Sequence, residues 1–118
     1  MSYIQGFLIP VPIDKKDAYV AMAAKACPLF IEYGATELVE AWGVDIPDGK
    51  VTDFKMAVKA EPGETVVFSW IVWPDKATCD AAGQKMMEDE RMKPDGEMPF
   101  DGMRMMWGGF EPVFTHGR

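Results

Sequence analysis

The 118-residue sequence predicts a single α+β domain of ferredoxin-like βαββαβ type: a four-stranded antiparallel sheet with two helices on one face. Three observations predict it. Apolar, β-branched segments and amphipathic segments follow one another in the order strand, helix, strand, strand, helix, strand. Prolines and glycines punctuate the joins. The length suits one core, because domains cluster at about 100–150 residues. Residues 1–118 therefore read as one unit, with 115–118 a flexible tail.

Residues 3–9, YIQGFLI, are aromatic and β-branched and form the first strand, which stops at Pro10 and Pro12 because proline cannot supply ladder hydrogen bonds. Asp14 stands where an N-cap accepts a backbone N–H. Beyond it Tyr19, Met22, Ala26, Leu29 or Phe30, and Tyr33 recur at helical spacing up to Gly34, a helix-ending glycine. Pro28 inside this helix predicts a kink or a break near Ala26 and Cys27. Residues 35–46 read as the second strand, closed by the Pro47-Asp48-Gly49 turn. Thr52 or Asp53 is placed to cap a single helical turn, although an edge strand fits residues 52–60 as well. After the turn at 61–64, residues 65–73, TVVFSWIVW, are apolar without a break. That predicts a central strand buried on both faces.

Pro74 ends that strand, and Asp75 caps a second helix running to about Met92. Cys79, Ala82, Gly83, Met86 and Met87 face inward, while Glu88, Asp89 and Glu90 form a solvated face. A proline- and glycine-rich loop leads to the last strand, 103–110. On it Met103, Met105 and Trp107 point one way and Arg104, Met106 and Phe110 the other. Both faces are largely apolar, yet one layer of helices covers only one of them. An uncovered apolar face exceeds what soluble monomers tolerate, so the expectation is a homodimer with sheet against sheet. Burying a standard interface of about 800 Å² per partner returns several kcal/mol at about 25 cal/mol per Å². Gly108 and Gly109 allow a bulge or a close backbone approach at that edge.

Composition narrows the function. The net charge is −7, with twelve basic residues against nineteen acidic and a pI near 4.6. That is a poor footprint for nucleic acid or anionic lipid. No apolar run reaches the length of a membrane span, and the start lacks a basic, signal-like region, which points to the cytoplasm. Cys27 and Cys79 lack metal-ligand spacing and read as free thiols. The single histidine, His116, stands in the tail, and no phosphate-loop or dinucleotide glycine pattern occurs. Glu37 and Asp45 have the opposite strand parity from Glu40, so they make no carboxylate cluster. Neither a metal nor a cofactor is expected.

The informative residues are polar ones inside apolar strands: Gln5, Glu40, Ser69 and Arg104. A carboxylate between Leu38 and Trp42 must be solvated, paired or hydrogen-bonded, because burying an isolated charge costs several kcal/mol. Glu40 is therefore a candidate base or ligand anchor in a cleft walled by Trp42, Trp70, Trp73 or Trp107, or else half of an ion pair with Arg104. Glu40 and Arg104 are the catalytic candidates, and Gln5, Trp42, Ser69 and Trp107 the ligand-binding ones. Ten methionines read as an adaptable pocket or as gap-filling core. The 92–102 loop reads as a lid or as a connector.

The stretches VPIDKKDAY, YGATELVEAWGVDIPDGKVTDFKMAVKA, ETVVFSWIVWPDKA and MPFDGMRMMWGGFEPV resemble the YbaA-like family, a conserved bacterial domain of unknown function, over residues 3–114. The resemblance implies membership of the dimeric α/β-barrel superfamily, with a ferredoxin-like subunit and a face-to-face dimer. It supplies no catalytic residues. Three readings stay open: a homodimer binding a small apolar or aromatic molecule in a cleft; a cofactor-independent monooxygenase or isomerase with Glu40 as base and Arg104 steadying negative charge; and a protein-interaction or regulatory module.

Overall fold

A computed structural model describes residues 2–94 and 96–117. The loop expectation at Asp95 and the tail expectation at Arg118 lie outside the described residues. The elements are β1 (Tyr3–Pro12), α1 (Lys16–Glu32), β2 (Glu37–Trp42), α2 (Phe54–Ala57), β3 (Glu64–Trp73), α3 (Lys76–Met87) and β4 (Met106–Phe110). The four strands form one antiparallel sheet in the order β2-β3-β1-β4. This is the expected βαββαβ arrangement with one added helical turn, and β3 is internal.

Several boundaries moved for identifiable reasons. β1 continues through Pro10 and Pro12, paired with β3. Its pairing with β4 reaches only Leu8, so beyond Leu8 the strand is an edge, where proline is tolerated. Asp14 caps nothing: a 3₁₀ turn, Ile13–Lys15, leads into α1, and no side chain caps that helix. Pro28 does not break α1, which runs unbroken to Glu32. Asp53 and Asp75 do cap α2 and α3, each accepting a backbone N–H at 2.7 Å, and Gly34 closes α1 at φ +113°.

The second helix is shorter than expected. α3 ends at Met87, which is exposed, and a separate 3₁₀ turn spans Glu90–Met92. Asp89 is no solvated residue, since it receives the Tyr33 hydroxyl and the Arg91 guanidinium. β4 begins only at Met106, because Asp101 caps a 3₁₀ turn over Gly102–Arg104. Met103, Arg104 and Met105 therefore do not alternate on a strand. No bulge interrupts the pairing of Gly108 and Gly109 with β1. Gly109 instead provides the close approach: a Cβ there would collide with the Tyr3 ring.

β3 is not buried on both faces within the chain. Thr65, Val67, Ser69, Ile71 and Trp73 turn toward the helices and are buried, whereas Phe68, on the other face, is 49% exposed. Val66, on the same face as Phe68, is buried, and α2 reaches that side through Phe54 against Phe68. Under the helices, the core divides. One cluster gathers Ala35, Ile71, Trp73, Cys79 and Ala82; the other gathers Ile9, Val11, Tyr19 and Val67. Phe7 packs against both.

Candidate functional site

Between these two clusters lies a cavity of about 520 Å³, within the range of small-molecule sites. Its origin is legible in the residue sizes. α1 presents Ala18, Ala21, Ala23 and Ala26 to it, and β3 contributes Ser69 where its neighbours on that face are Val67 and Ile71. Small side chains leave the helix and the sheet without enough volume to close the space. Phe7, Ile9, Met22, Phe30, Leu38 and Ile71 supply the apolar walls. Residues 91–94 and 96–100, with Met105, form the opposite wall, so much of the 92–102 loop lines the cavity.

Strand register places one row of functional groups across the floor. Ser69 on β3 is opposite Phe7 on β1 and opposite Glu40 on β2, and all three line the cavity. Glu40 takes a hydrogen bond from the Tyr19 hydroxyl at 2.6 Å. Tyr19 is buried, held by Trp42 and Phe100 with ring centroids 6.4 and 5.8 Å away. Burial, and then the bond to the Glu40 carboxylate, push the Tyr19 phenol well above its ordinary range. Tyr19 is thus a fixed donor that orients the carboxylate. Glu40 itself stays open to solvent.

Around the mouth the charges are tied to one another. Arg91 makes a two-pronged bond to Glu32 at 3.2 and 2.7 Å and a further one to Asp89 at 2.8 Å. It joins the end of α1 to the segment that walls the cavity. The Arg91 bond to Asp89, with the Tyr33 hydroxyl, holds the Asp89 carboxyl well below the carboxylate range. Lys93 is paired with Glu90 at 3.1 Å.

Of the six residues singled out from sequence, the structure brings two together at the cavity, Glu40 and Ser69. Gln5 is on the same sheet face but accepts the Trp73 indole N–H at 2.9 Å beneath α3. Trp42 stands behind Tyr19 with Lys16 5.6 Å from its ring. Trp107 lies opposite Phe7 at the far edge and is largely exposed. Arg104 is not beside Glu40. Its guanidinium grips Glu64 with two bonds of 2.7 Å, takes Asp101 at 3.0 Å and donates to the Lys59 carbonyl. Arg104 holds the Glu64 carboxyl below its ordinary range. Sequence reasoning missed Tyr19, read there as a core position of α1, and the alanines; a run of small residues on an amphipathic helix facing a strand serine was the available signal. Among the described residues, no group of three or more histidines, cysteines or acids is placed to hold a metal ion.

The model of the family described as "Protein of unknown function (DUF1428)" matches residues 2–102. The chain belongs to the DUF1428 family. This DUF1428 member is 65% identical over 114 residues to the "Uncharacterized protein YbaA" of Escherichia coli (strain K12), covering 96% of this chain and 97% of that one. The protein of the same name in Shigella flexneri is similar to the same extent. Among solved structures, "De novo designed protein Foldit4" is 10% identical with a TM-score of 0.45, over 95% of this chain and 99% of that one.

Proposed function

We propose that this protein is a homodimer that binds a small apolar or aromatic molecule in the cavity between α1 and the sheet. The observation that carries the reading is the cavity itself: about 520 Å³, apolar on most sides, with one carboxylate oriented by a buried tyrosine. Ligand sites of this kind combine apolar walls with a few placed polar groups. Turnover is no part of the proposal, since Arg104 is engaged by Glu64 and Asp101 rather than poised beside Glu40.

The dimer rests on the opposite face of the sheet. Leu8, Val39, Ala41, Phe68, Met106 and Phe110 share it by register, and Phe68, Met106 and Phe110 are about half exposed. Val113 and Phe114, which follow β4, are exposed as well. An apolar surface of this extent is the mark of an interface. Cytoplasmic residence accords with the two free thiols; no helix among the described residues is long and apolar enough to cross a membrane.

Thermal denaturation against a panel of small aromatic and aliphatic compounds tests the binding reading. Saturable stabilisation is expected, of about 2.7 kcal/mol at a hundredfold excess over Kd. Absence of saturable stabilisation across the panel refutes it. Light scattering during size-exclusion chromatography tests the assembly, with twice the 13.2 kDa chain mass expected and the chain mass alone refuting it.

A further inference from the structure

We infer that the occupant of the cavity carries a hydrogen-bond donor, a hydroxyl or an ammonium group, on its apolar body, and that Glu40 receives it. The inference rests on the cavity being a binding site and adds the chemistry of the ligand's head. Its basis is a count of what the walls offer. A carboxylate only accepts hydrogen bonds, and its two oxygens provide about four lone-pair sites. Tyr19 fills one at Oε1. Because Tyr19 is packed between Trp42 and Phe100, it fixes the carboxylate without covering it, and Glu40 remains open to solvent.

The cations of the lining do not reverse this. Arg91 is held by Glu32 and Asp89, Lys93 by Glu90, and Lys25 is engaged too. Those partners neutralise the cations' charge, whereas an anionic head would lie near Glu40 and near Glu97, a second carboxylate in the lining. A donor head meets neither obstacle. The body of the molecule would lie over Ser69 and Phe7, toward Met22 and Phe30, where α1 and β3 leave their space.

Isothermal titration calorimetry of the full chain with matched probes tests the assignment: 2-naphthol, 2-naphthylmethylammonium and 2-naphthoate, together with decanol, decylammonium and decanoate. The hydroxyl and ammonium probes are expected to bind about tenfold or more tighter than the carboxylate of the same body, the scale of a hydrogen bond to a charged acceptor. Comparing the two donor arms separates a neutral head from a cationic one. In Glu40→Gln the gap between donor and carboxylate probes is expected to shrink to about twofold. Should that variant not fold, the ranking of the probes on the wild-type chain alone decides between a donor head and an anionic one. Carboxylates binding as well as donors, or a preference that survives in a folded Glu40→Gln protein, overturns the donor assignment while leaving the cavity as a site. If neither body binds in any form, the binding reading and the donor assignment fall together.

Discussion

Gln5→Met is the sharpest test of how the helix-covered face is held together. Trp73 is fully buried, and its indole N–H has the Gln5 side-chain carbonyl as acceptor at 2.9 Å. Methionine keeps the length of the side chain and removes the acceptor, so the donor is left desolvated. An orphaned buried donor costs about 1–3 kcal/mol; we take about 2. With an unfolding entropy of about 2.1 cal/mol/K per residue, a 118-residue chain gains about 0.25 kcal/mol/K, so the midpoint drops by about 8 °C. Trp73→Phe removes the donor itself and adds a cavity cost of its own. In that background Gln5→Met is expected to be nearly neutral, so the two changes couple by about 1.5–2 kcal/mol in a double-mutant cycle. Urea unfolding followed by circular dichroism gives all four stabilities. A cost for Gln5→Met below about 0.5 kcal/mol, or an equal cost in both backgrounds, would refute the reasoning, and the glutamine would then be free for another task.

Two pH dependences follow from the hydrogen bonds. The Glu64 carboxyl is held below its ordinary value of 4.5 by Arg104; a lowered folded value means that its stabilisation is present above that pH and is lost as pH falls through the folded value. Acid unfolding should therefore be shallower in Glu64→Gln, and a midpoint-versus-pH curve identical to wild type below pH 4.5 would count against the pairing. Tyr19 behaves oppositely: its folded value is raised above 10.0, so its contribution is intact below that pH and lost as pH rises. Ultraviolet titration should show this phenol ionising only together with the loss of circular dichroism, and Tyr19→Phe should flatten the alkaline side of the stability curve. Ionisation of Tyr19 at the pH of a free phenol in the folded protein would contradict its burial.

The fold was readable because local signals and the global pattern agreed. Asp53 and Asp75 announced helix starts, Gly34 announced an end, and the apolar run around Val67 and Ile71 belonged to an internal strand. Where local rules competed with tertiary pairing, pairing won. Pro10 and Pro12 stay in β1 because β4 is too short to ask for their N–H groups, and Pro28 stays in α1. Residues 88–105 misled for another reason: helical spacing ran on through Met92, but Asp89 and Asp101 cap separate single turns there, and short turns have no periodicity to detect.

The site was only partly readable. A charge in an apolar strand marked Glu40, and register then put Ser69 beside it. The tryptophans misled, because an aromatic ring in a strand serves a core or an interface as readily as a cleft: Trp73 fills the core under α3, and Trp107 reaches the surface. Arg104 misled through parity. A 3₁₀ turn, not a strand, sets its direction, and it therefore reaches Glu64 instead of Glu40. Which helix residue would meet Glu40 depends on how α1 crosses the sheet, information that no window of the sequence contains.

The two walls of the cavity come from parts of the chain with different obligations. Strand pairing fixes the residues of the floor, since moving any one of them disturbs its neighbours across three strands. Residues 91–94 and 96–100 belong to no strand; they are tied in by side chains, Arg91 to Glu32 and Asp89, Lys93 to Glu90 and Phe100 to the Tyr19 ring. Substitutions along that stretch therefore reshape the cavity while leaving the strand register beneath it untouched.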